Sequence, residues 1–563
     1  MQAAKPIQFE SLPPVILKYI KEMEEGFNQR IIELETNFNK KIKELQFEKD
    51  IIQEKYELAM YKRFAQSAER MLADKLQPKL FDSEEIKEET KTESEETEGI
   101  KSYKRRKNPG CGRKAIDPGI PRKIEIKDIP ESEKICGGCK AELTKIGEES
   151  NEKIEITPPK IEVIKTVRPK YACRRCEGTS TEFEDDETGK RPSTVKIAPL
   201  EPSIMPKGIA TPSLLSTVFI QKFEDHLPFY RQEKIFKRIM VTISRQDMSN
   251  WLMHAYSKIK PIFILLKIIL KSGPVMQVDE TVVQVFREIK QTVSGEEKRA
   301  DASESRMWLA RGGPPDKPVA LYQYRQTRSA EHAKEILEGF SGYLQTDGYI
   351  GYDSAVKDND KIIHVSCFAH ARRKFFEAAK ISKSSTAAEE GIKYIKRLYE
   401  IESKLRAENK ADENDGESKA AEKRERFLNE RKEQVQPVFY EFKQWLVKIQ
   451  NDVAPRTLLG EAVGYALKQW EKLIRYIESP YLTPDTNSAE NLIRPFVVGR
   501  NAWMFCGSPS GADSSCGMYT LIQTAKLNGI EPFKYLKTLF EKTPYASSVE
   551  DWEKLLPWNI HKS

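Results

Sequence analysis

Apolar residues recur at seven-residue intervals near the start of the chain, within a segment (residues 15–76) that lacks proline and is almost free of glycine. The repeat consists of Ile31, Phe38, Leu45, Ile52 and Ala59, with Leu34, Ile42 and Tyr56 beside it. This spacing predicts a long amphipathic helix of the kind that forms coiled coils. The second heptad seam carries Lys41, Glu48 and Lys55, so packing of this helix on its own protein stays open beside self-association.

Between residues 209 and 256 the pattern predicts several short helices. Thr211-Pro212 and Ser244 are typical helix starts, and Asp247 follows Ser244 at the spacing of a capping box. The last helix would present Arg245 and Gln246 on its first turn, as in a helix-turn-helix module that binds DNA. Any small helical bundle shows the same pattern, so that alternative remains open.

From about residue 275 the pattern changes to strands. Alternating or continuous apolar runs occur in VMQVDETVVQVF, MWLARGG, PVALYQY, GYLQTDGYIGY and IIHVSCFAH, with helices expected over 330–339 and 371–380. This order predicts a mixed sheet covered by helices. Residues 382–480 are typical of a charged helical insertion with a disordered tip near 409–418, and apolar, motif-rich sequence returns over 487–539.

The length of 563 residues predicts several domains. The net charge of +7 is mild for this length, so it does not by itself indicate a nucleic-acid partner. An acidic tract over 82–98, expected to be a disordered linker, precedes a basic run that includes Lys104, Arg105, Arg106 and Lys107. This run suits contact with DNA phosphates, although pairing with the acidic tract explains it equally well.

We expect neither a membrane span nor a secretion signal. The densest apolar run, over 261–270, is short and is interrupted by Lys267. The N-terminal sequence MQAAKPIQFESLPP lacks the apolar core of a signal peptide. A cytoplasmic, nucleoid-associated location in a bacterial-type cell is therefore expected.

Four of the eight cysteines form two C-x-x-C pairs, Cys136/Cys139 and Cys173/Cys176. In a chain without a secretion signal, this arrangement favours a tetrahedral zinc site over disulfides. The long spacer contains two strand-like stretches, over 153–157 and 161–167, which are expected to form a hairpin between the pairs. The remaining cysteines are expected to be small buried side chains: they are Cys111, Cys367, Cys506 and Cys516.

Three acidic residues follow or begin apolar elements. Asp279 is expected near the end of the strand Val275-Met276-Gln277-Val278, and Glu280 beside it would point to the opposite face of the sheet. Asp347 lies just past another apolar stretch, and Glu490 lies in a predicted helix with Asn487 and Ser488 as caps. Carboxylates from adjacent strands and a helix can hold two Mg²⁺ ions about 3.5–4 Å apart. Each acid taken alone is equally consistent with an ordinary turn or ion pair.

The stretches VDET, LQTDGYIGY, CFAHARRKFFEAAK, NSAENLIRPFVVGRNAWMFCGS and TAKLNGIEPFKYL occur in this order along the chain. Together they resemble the transposases of the insertion-sequence-66 family, which are DDE-type enzymes with a ribonuclease-H-like core. The cysteine pairs, the DHLPFYRQE block and the N-terminal helix match the family's zinc-binding, helix-turn-helix-like and leucine-zipper-like segments. The resemblance covers nearly the whole chain.

The resemblance implies that Asp279, Asp347 and Glu490 are the catalytic acids and ligands of Mg²⁺ (or Mn²⁺), and that the four paired cysteines bind Zn²⁺. It also implies a basic turn that contacts DNA or positions the acids, formed by His370, Arg372, Arg373 and Lys374. Arg494 and Arg500 match further DNA-contacting positions. Asn491 and Asn501 depart from the family pattern, which has Arg and Lys at these places, and their lack of charge should weaken phosphate contact.

The fold class expected from pattern and resemblance together is multidomain α/β. Its parts are a coiled-coil helix (15–80), a disordered acidic and basic linker (81–115), a zinc-ribbon-like module (116–200), a helix-turn-helix-like domain (205–272), a ribonuclease-H-like mixed-sheet core (273–381 and 481–545), a helical insertion (382–480) and a C-terminal tail (546–563). The expected partners are the element's DNA ends and target DNA, a second copy of the chain as a dimer or higher oligomer, and accessory proteins of the same element.

Two other functions remain open from the sequence. A non-catalytic DNA-binding regulator would use the zinc module, the helix-turn-helix and the coiled coil without chemistry. A metal-dependent nuclease would use the same acids to cut strands without joining them. A purely structural coiled-coil protein is the weakest alternative, because it explains neither the acids nor the paired cysteines.

Overall fold

The computed structural model describes residues 13–64, 162–172, 195–206, 208–286, 289–291, 297–299, 305–357, 359–381, 385–409 and 416–560. They fall into two compact units, one made of Met1–Ser83 with Glu201–Ser563 and the other of Glu84–Leu200. The four paired cysteines and the basic run Lys104–Lys107 lie outside the described residues.

In the smaller unit, strand β1 (Lys170–Ala172) pairs antiparallel with β2 (Val195–Ile197). Arg168 supports this pairing, because its guanidinium donates a hydrogen bond of 2.8 Å to the carbonyl of Ala198. The predicted strand over 161–167 is wrong in its described part, residues 162–167, which form no strand. Its apolar side chains Val163 and Ile164 are exposed. Among the described residues, neither burial of these side chains nor pairing with another strand stabilises a strand there.

The larger unit begins with one continuous helix, α1 (Pro14–Phe64). Its apolar stripe is exposed at Phe38, Leu45 and Ile52, which keep 54–70% of their surface accessible. The C-terminal part of α1 contacts the rest of the unit: Lys55 pairs with Glu461 at 3.1 Å and Lys62 pairs with Glu377 at 2.6 Å.

Four helices precede the sheet. They are α2 (Pro212–Phe223), α3 (Phe229–Arg238), α4 (Arg245–Lys258) and α5 (Lys260–Lys271). The predicted start of α4 is confirmed, because Ser244 and Asp247 form a reciprocal capping box. Thr211 caps α2 as expected, accepting a hydrogen bond from the backbone N–H of Leu214.

A five-stranded mixed sheet forms the centre of the larger unit, with the strand order β7-β6-β3-β8-β9. The strands are β3 (Val275–Val282), β6 (Arg306–Gly312), β7 (Val319–Arg325), β8 (Gly342–Thr346) and β9 (Ile362–Ser366). Strands β3, β6 and β7 pair antiparallel, whereas β3, β8 and β9 pair parallel. This confirms the predicted mixed sheet. The pair β4 (Ile289–Gln291) and β5 (Glu297–Arg299) was not predicted.

Helices cover both faces and one edge of the sheet. Helix α6 (Ala330–Leu337) and the unpredicted α7 (Ile350–Val356) lie between strands in the chain. The C-terminal helices are α13 (Asn487–Trp503), α14 (Pro509–Leu527), α15 (Pro532–Lys542), α16 (Val549–Lys554) and α17 (Pro557–Ile560). The hydroxyls of Thr520 and Thr524 on α14 accept hydrogen bonds from the backbone N–H groups of Tyr322 and Ala320. These bonds satisfy the outer edge of β7, which would otherwise be open to strand addition.

A helical insertion with its own apolar core separates β9 from α13. Its helices are α8 (Phe368–Ile381), α9 (Ser385–Glu408), α10 (Glu417–Asp452), α11 (Leu458–Lys468) and α12 (Trp470–Leu473). The aromatic rings of Phe375, Tyr394, Phe442 and Trp445 pack against one another in this core. In the described part of the chain, no helix is long and apolar enough to span a membrane.

Candidate active site

Asp279 and Asp347 lie on neighbouring parallel strands. The pairing of Val275 with Tyr343 and of Gln277 with Gln345 places Asp347, directly after β8, at the level of Asp279. The prediction that Asp279 lies near the end of its strand is wrong, because β3 continues to Val282 by pairing antiparallel with β6. Asp279 is therefore held inside the sheet, where backbone pairing on one side fixes its position more firmly than a strand end would.

Glu490 lies on the first turn of α13. The predicted caps Asn487 and Ser488 are wrong, because the helix begins at Asn487 and its N-cap residue, Thr486, makes no side-chain capping hydrogen bond. Asp485 accepts hydrogen bonds from the backbone N–H of Asn487 at 3.0 Å and from its side-chain amide at 2.7 Å. Because Asp485 is buried, these two hydrogen bonds hold the first residue of α13 in place and thereby help to position Glu490 on the same turn.

Hydrogen bonds among three polar residues connect the elements that carry the acids. Gln277 donates to Gln345 at 2.8 Å, and Ser488 donates to the side-chain oxygen of Gln277 at 2.5 Å. Gln277 and Gln345 are almost fully buried, and each of the three residues stands two positions before one of the acids. The sequence analysis missed this connection, although both strands show a Gln-x-Asp pattern that could have indicated it.

The acids interact electrostatically. The pKa of Asp279 is raised to about 7, first by burial and then by the charges of Glu280, Glu490 and Asp347, against a lowering effect of the hydrogen bond from the backbone N–H of Glu280. The mutual effect shows that Asp279 lies near both other acids. Such clustered carboxylates favour either a bound proton or a cation.

This pKa gives the stability of the metal-free protein a pH dependence. An acid whose pKa is raised in the folded state destabilises the fold as pH rises from about 4 to about 7, because the unfolded state ionises more easily. Asp279→Asn should remove this cost, on the order of 4 kcal/mol at most. In EDTA, we expect the variant to gain clearly more melting temperature over the unmodified protein at pH 8 than at pH 5, where the cost is less than half as large. An equal difference at both pH values would contradict the raised pKa.

Asp347 is held by two donors. Its Oδ1 atom accepts a hydrogen bond of 3.0 Å from the backbone N–H of Tyr349, and its Oδ2 atom lies 3.4 Å from the guanidinium of Arg328. The next residue, Gly348, leaves room for the ring of Tyr465, since a Cβ atom there would approach that ring to 2.7 Å. Packing against Tyr465 therefore explains why a glycine follows Asp347.

Glu490 faces two basic residues of α8. His370 Nε2 lies 3.9 Å from Glu490 Oε1, and the guanidinium of Arg373 lies 3.7 Å from Oε2. Burial lowers the pKa of His370, and the charge of Arg373 lowers it further, while Glu490 and Asp347 raise it. The Oε1 atom of Glu490 is buried and has no hydrogen-bond partner among the described residues.

The other basic candidates have different surroundings. Arg372 is half-buried beside Tyr399, and the ammonium of Lys374 lies 5.3 Å from the centre of the Tyr465 ring. Arg500 on α13 contacts the hydroxyl of Thr281 at 3.3 Å and the carbonyl of Val282, on the strand that carries Asp279. Arg494 is exposed on the same helix.

Arg245 and Gln246 are exposed on the first turn of α4, where Gln246 donates to Asn250 at 3.0 Å. In the described part of the chain, neither residue forms a hydrogen bond or ion pair with the three acids. His370 and Arg373 therefore lie beside Glu490, and Arg500 contacts the strand that carries Asp279. Arg245 and Gln246, by contrast, lie on the exposed surface of α4.

The residue types at this site suit a divalent cation. Mg²⁺ prefers hard oxygen ligands, and the buried, unpartnered oxygen of Glu490 together with the raised pKa of Asp279 indicates negative charge that lacks full compensation. Within the described residues, however, no group of three acidic, histidine or cysteine side chains is close enough to share one ion. The carboxylate oxygens are therefore of the type that Mg²⁺ prefers, and the three side chains would have to move closer together to bind one ion.

Comparison with known proteins gives matches along most of the chain. The family model described as Transposase IS66 family matches residues 207–514, the zinc-finger binding domain of transposase IS66 matches 133–177, and the IS66 C-terminal element matches 520–558. Two proteins of Sinorhizobium fredii are similar over most of their length. Uncharacterized protein y4jD is 29% identical over 78% of this chain and 81% of its own, and Uncharacterized protein y4hP is 28% identical over 83% and 79%. The Drosophila P element transposase strand transfer complex aligns with a TM-score of 0.29 and 11% identity over 62% of this chain and 97% of that chain, a likeness too low to support an argument.

Proposed function

Because the chain belongs to the Transposase IS66 family, we propose that it is a DDE transposase, with a ribonuclease-H-like core, that cuts the ends of an insertion sequence and joins them to target DNA. The observation that carries this proposal is the position of Asp279, Asp347 and Glu490. Asp279 on β3 and Asp347 just after the neighbouring parallel strand β8 lie at the same level. Glu490 lies on the first turn of α13, which is tied to β3 through the hydrogen bond from Ser488 to Gln277. The charges of Asp347 and Glu490 both raise the pKa of Asp279.

In this function the three acids hold Mg²⁺ (or Mn²⁺), which when bound supplies Lewis-acid activation of the nucleophile and of the phosphodiester. Water attacks the phosphodiester at the end of the element and frees a 3′-hydroxyl, which then attacks a phosphodiester of the target. The protein's part is to position DNA and manage charge. Arg373 and His370 lie next to Glu490, and Arg500 lies next to β3; these three residues would contact phosphate oxygens.

DNA recognition would be shared among separate modules. The zinc-finger match spans all four paired cysteines, so Cys136, Cys139, Cys173 and Cys176 are proposed to bind Zn²⁺ as a tetrahedral thiolate site. The basic run from Lys104 to Lys107 would contact phosphates beside this module. Arg245 and Gln246, exposed at the start of α4, would read the terminal repeats in the manner of a recognition helix.

The N-terminal helix would join two protomers. Its apolar stripe is exposed at Phe38, Leu45 and Ile52, and an exposed stripe of this length is typical of a coiled-coil seam. A dimer suits an enzyme that must hold two DNA ends at once.

We expect the double change Phe38→Glu/Leu45→Glu to convert an oligomer of the full chain into a monomer, because charges would then face each other across the seam. Size-exclusion chromatography with light scattering measures the change in mass. Lys40→Glu, which alters α1 outside the stripe, should leave the mass unchanged. A double variant that retains the oligomeric mass would rule out α1 as the seam.

Cleavage of end-labelled DNA distinguishes this function from the two alternatives. The substrate is a duplex that carries the terminal sequence of the element, incubated with the full chain and Mg²⁺ or EDTA. A transposase should nick at the end of the element and release a 3′-hydroxyl only with Mg²⁺. A regulator would bind the duplex without cutting it, and a nuclease would cut it without joining the freed 3′-hydroxyl to target DNA when a target plasmid is added.

A further inference from the structure

Among the described residues of the site, Arg328 has a side chain that bridges two carboxylates. It lies between β7 and α6, where its guanidinium pairs with Glu280 and approaches Asp347 at 3.4 Å. The side chain of Glu280 is only 3% exposed, whereas that of Arg328 is 38% exposed. Arg328 thus connects Glu280, the neighbour of Asp279 on β3, with Asp347.

Neighbouring tyrosines hold this arrangement in place. The guanidinium of Arg328 stacks on the ring of Tyr349 at 3.8 Å, and the Tyr349 hydroxyl donates to the carbonyl of Arg328 at 2.8 Å. The backbone N–H of Tyr349 donates to Asp347, which closes the loop of contacts. On the far side, the buried hydroxyl of Tyr352 donates to Glu280. Glu280 is thus a fixed anchor, and Arg328 is the partly exposed member that has room to move.

Both oxygens of Asp347 are therefore engaged, one by a backbone N–H and the other by Arg328. Each oxygen keeps a second lone pair, but the positive charge of the guanidinium opposes the approach of a cation to the Oδ2 atom of Asp347. The backbone N–H is fixed by the turn into α7, so the guanidinium is the donor that can leave. It can do so while it keeps its pairing with Glu280.

We propose that Arg328 is a positioning residue that holds Asp347 in the metal-free protein and yields the Oδ2 atom of Asp347 when a divalent cation binds. This inference rests on the proposed function, since it assigns Asp347 to the metal. The positive charge of Arg328 thereby compensates the Asp347 carboxylate until a cation binds. The same contact orients the carboxylate and makes Arg328 compete with the metal for the Oδ2 atom of Asp347.

Manganese binding to the full chain, without DNA, tests this exchange. The probe is Mn²⁺ itself, with free Mn²⁺ measured by electron paramagnetic resonance on zinc-loaded protein. Arg328→Gln keeps a polar side chain and removes the competing charge, so we expect its Mn²⁺ dissociation constant to fall at least fivefold. Arg328→Lys keeps the charge but cannot span both carboxylates, and its constant should lie between the other two. Arg325→Gln is the matched control, because Arg325 pairs with Glu335 instead, and it should bind Mn²⁺ as the unmodified chain does.

The outcomes separate this inference from the proposed function. If the unmodified chain binds Mn²⁺, Asp347→Asn loses that binding, and Arg328→Gln binds no more tightly, Arg328 is only a structural ion pair and the exchange is refuted. Should Arg328→Gln fail to fold, as circular dichroism would show, an unchanged constant in Arg328→Lys refutes it. If the unmodified chain binds no Mn²⁺, or if Asp347→Asn retains the binding, the metal site of the proposed function fails and the exchange with it.

Discussion

Asp279→Asn and Glu490→Gln are each expected to reduce metal-dependent DNA cleavage roughly a thousandfold or more. The stabilisation that bound metal gives to transition-state charge amounts to several kcal/mol, and about 4 kcal/mol corresponds to a factor of a thousand in rate. Both changes preserve side-chain shape and remove one ligand charge. Because Asp279 is within the sheet and Glu490 is on a helix whose first residue is held by Asp485, neither change should disturb the backbone.

The measurement is the initial rate of nicking of end DNA by each variant at saturating Mg²⁺, with DNA binding followed by gel shift. Asp316→Asn is the control, since this exposed carboxylate lies in the turn between β6 and β7 and should retain full activity. Binding should persist in all three variants. If either active-site variant keeps activity within tenfold of the unmodified protein while folding normally, the assignment of that acid as a ligand is wrong.

Arg431→Met is expected to destabilise the helical insertion by about 3–5 kcal/mol, the usual result of breaking a buried ion pair by removing one partner. Arg431 on α10 and Glu402 on α9 are fully buried and pair at 2.7 Å. The guanidinium also donates to the carbonyls of Tyr476, Ser479 and Leu482. Its loss removes this donor from the carbonyls of Tyr476 and Ser479, and leaves Arg406 as the remaining partner of the buried Glu402 carboxylate and of the Leu482 carbonyl.

Denaturant unfolding followed by tryptophan fluorescence measures this effect, because Trp445 and Trp470 lie in the core of the insertion. The double variant Arg431→Met/Glu402→Leu should recover much of the lost stability, since no buried charge is left over from this pair. Arg397→Met removes an arginine from a solvent-exposed pair with Glu441 and should cost less than about 1 kcal/mol. A loss in Arg431→Met no larger than in Arg397→Met would show that the buried pair contributes little.

The same contacts connect the insertion with the active site. Arg431 and Arg406 both donate to the carbonyl of Leu482, and the carbonyl of the following residue, Thr483, accepts a hydrogen bond of 2.6 Å from Gln345. The chain then reaches Asp485, which holds the first residue of the helix of Glu490. Destabilising the insertion should therefore also lower catalytic activity, although Arg431 does not contact the acids among the described residues.

The sheet was predictable because its determinants are local. Apolar runs of strand length at 275–282, 306–312, 319–325, 342–346 and 362–366 reflect burial on both faces. The capping box of Ser244 and Asp247 was predictable for the same reason, since both partners lie within one turn. The candidate acids could be identified because their motifs are contiguous in sequence.

The features that were missed depend on partners distant in sequence. β3 extends past Asp279 because β6 pairs with it, and the first residue of the helix of Glu490 is held by Asp485 because that carboxylate is buried there. The roles of Gln277 and Gln345 arise from a hydrogen bond across 68 residues, and that of Arg328 from ion pairs across 48 and 19 residues. Periodicity reports which face of an element is buried, but it does not identify the polar groups that meet across the fold.

Joining of a pre-cut DNA end to a target plasmid tests the central claim most directly. The substrate is a duplex with the terminal sequence of the element and a free 3′-hydroxyl, incubated with the full chain, supercoiled plasmid and Mg²⁺. The account predicts covalently joined product that requires Mg²⁺ and the 3′-hydroxyl, is absent in EDTA and disappears with Asp347→Asn. Binding of the duplex without any joined product, by folded and zinc-loaded protein that also binds Mn²⁺ through Asp347, would contradict it.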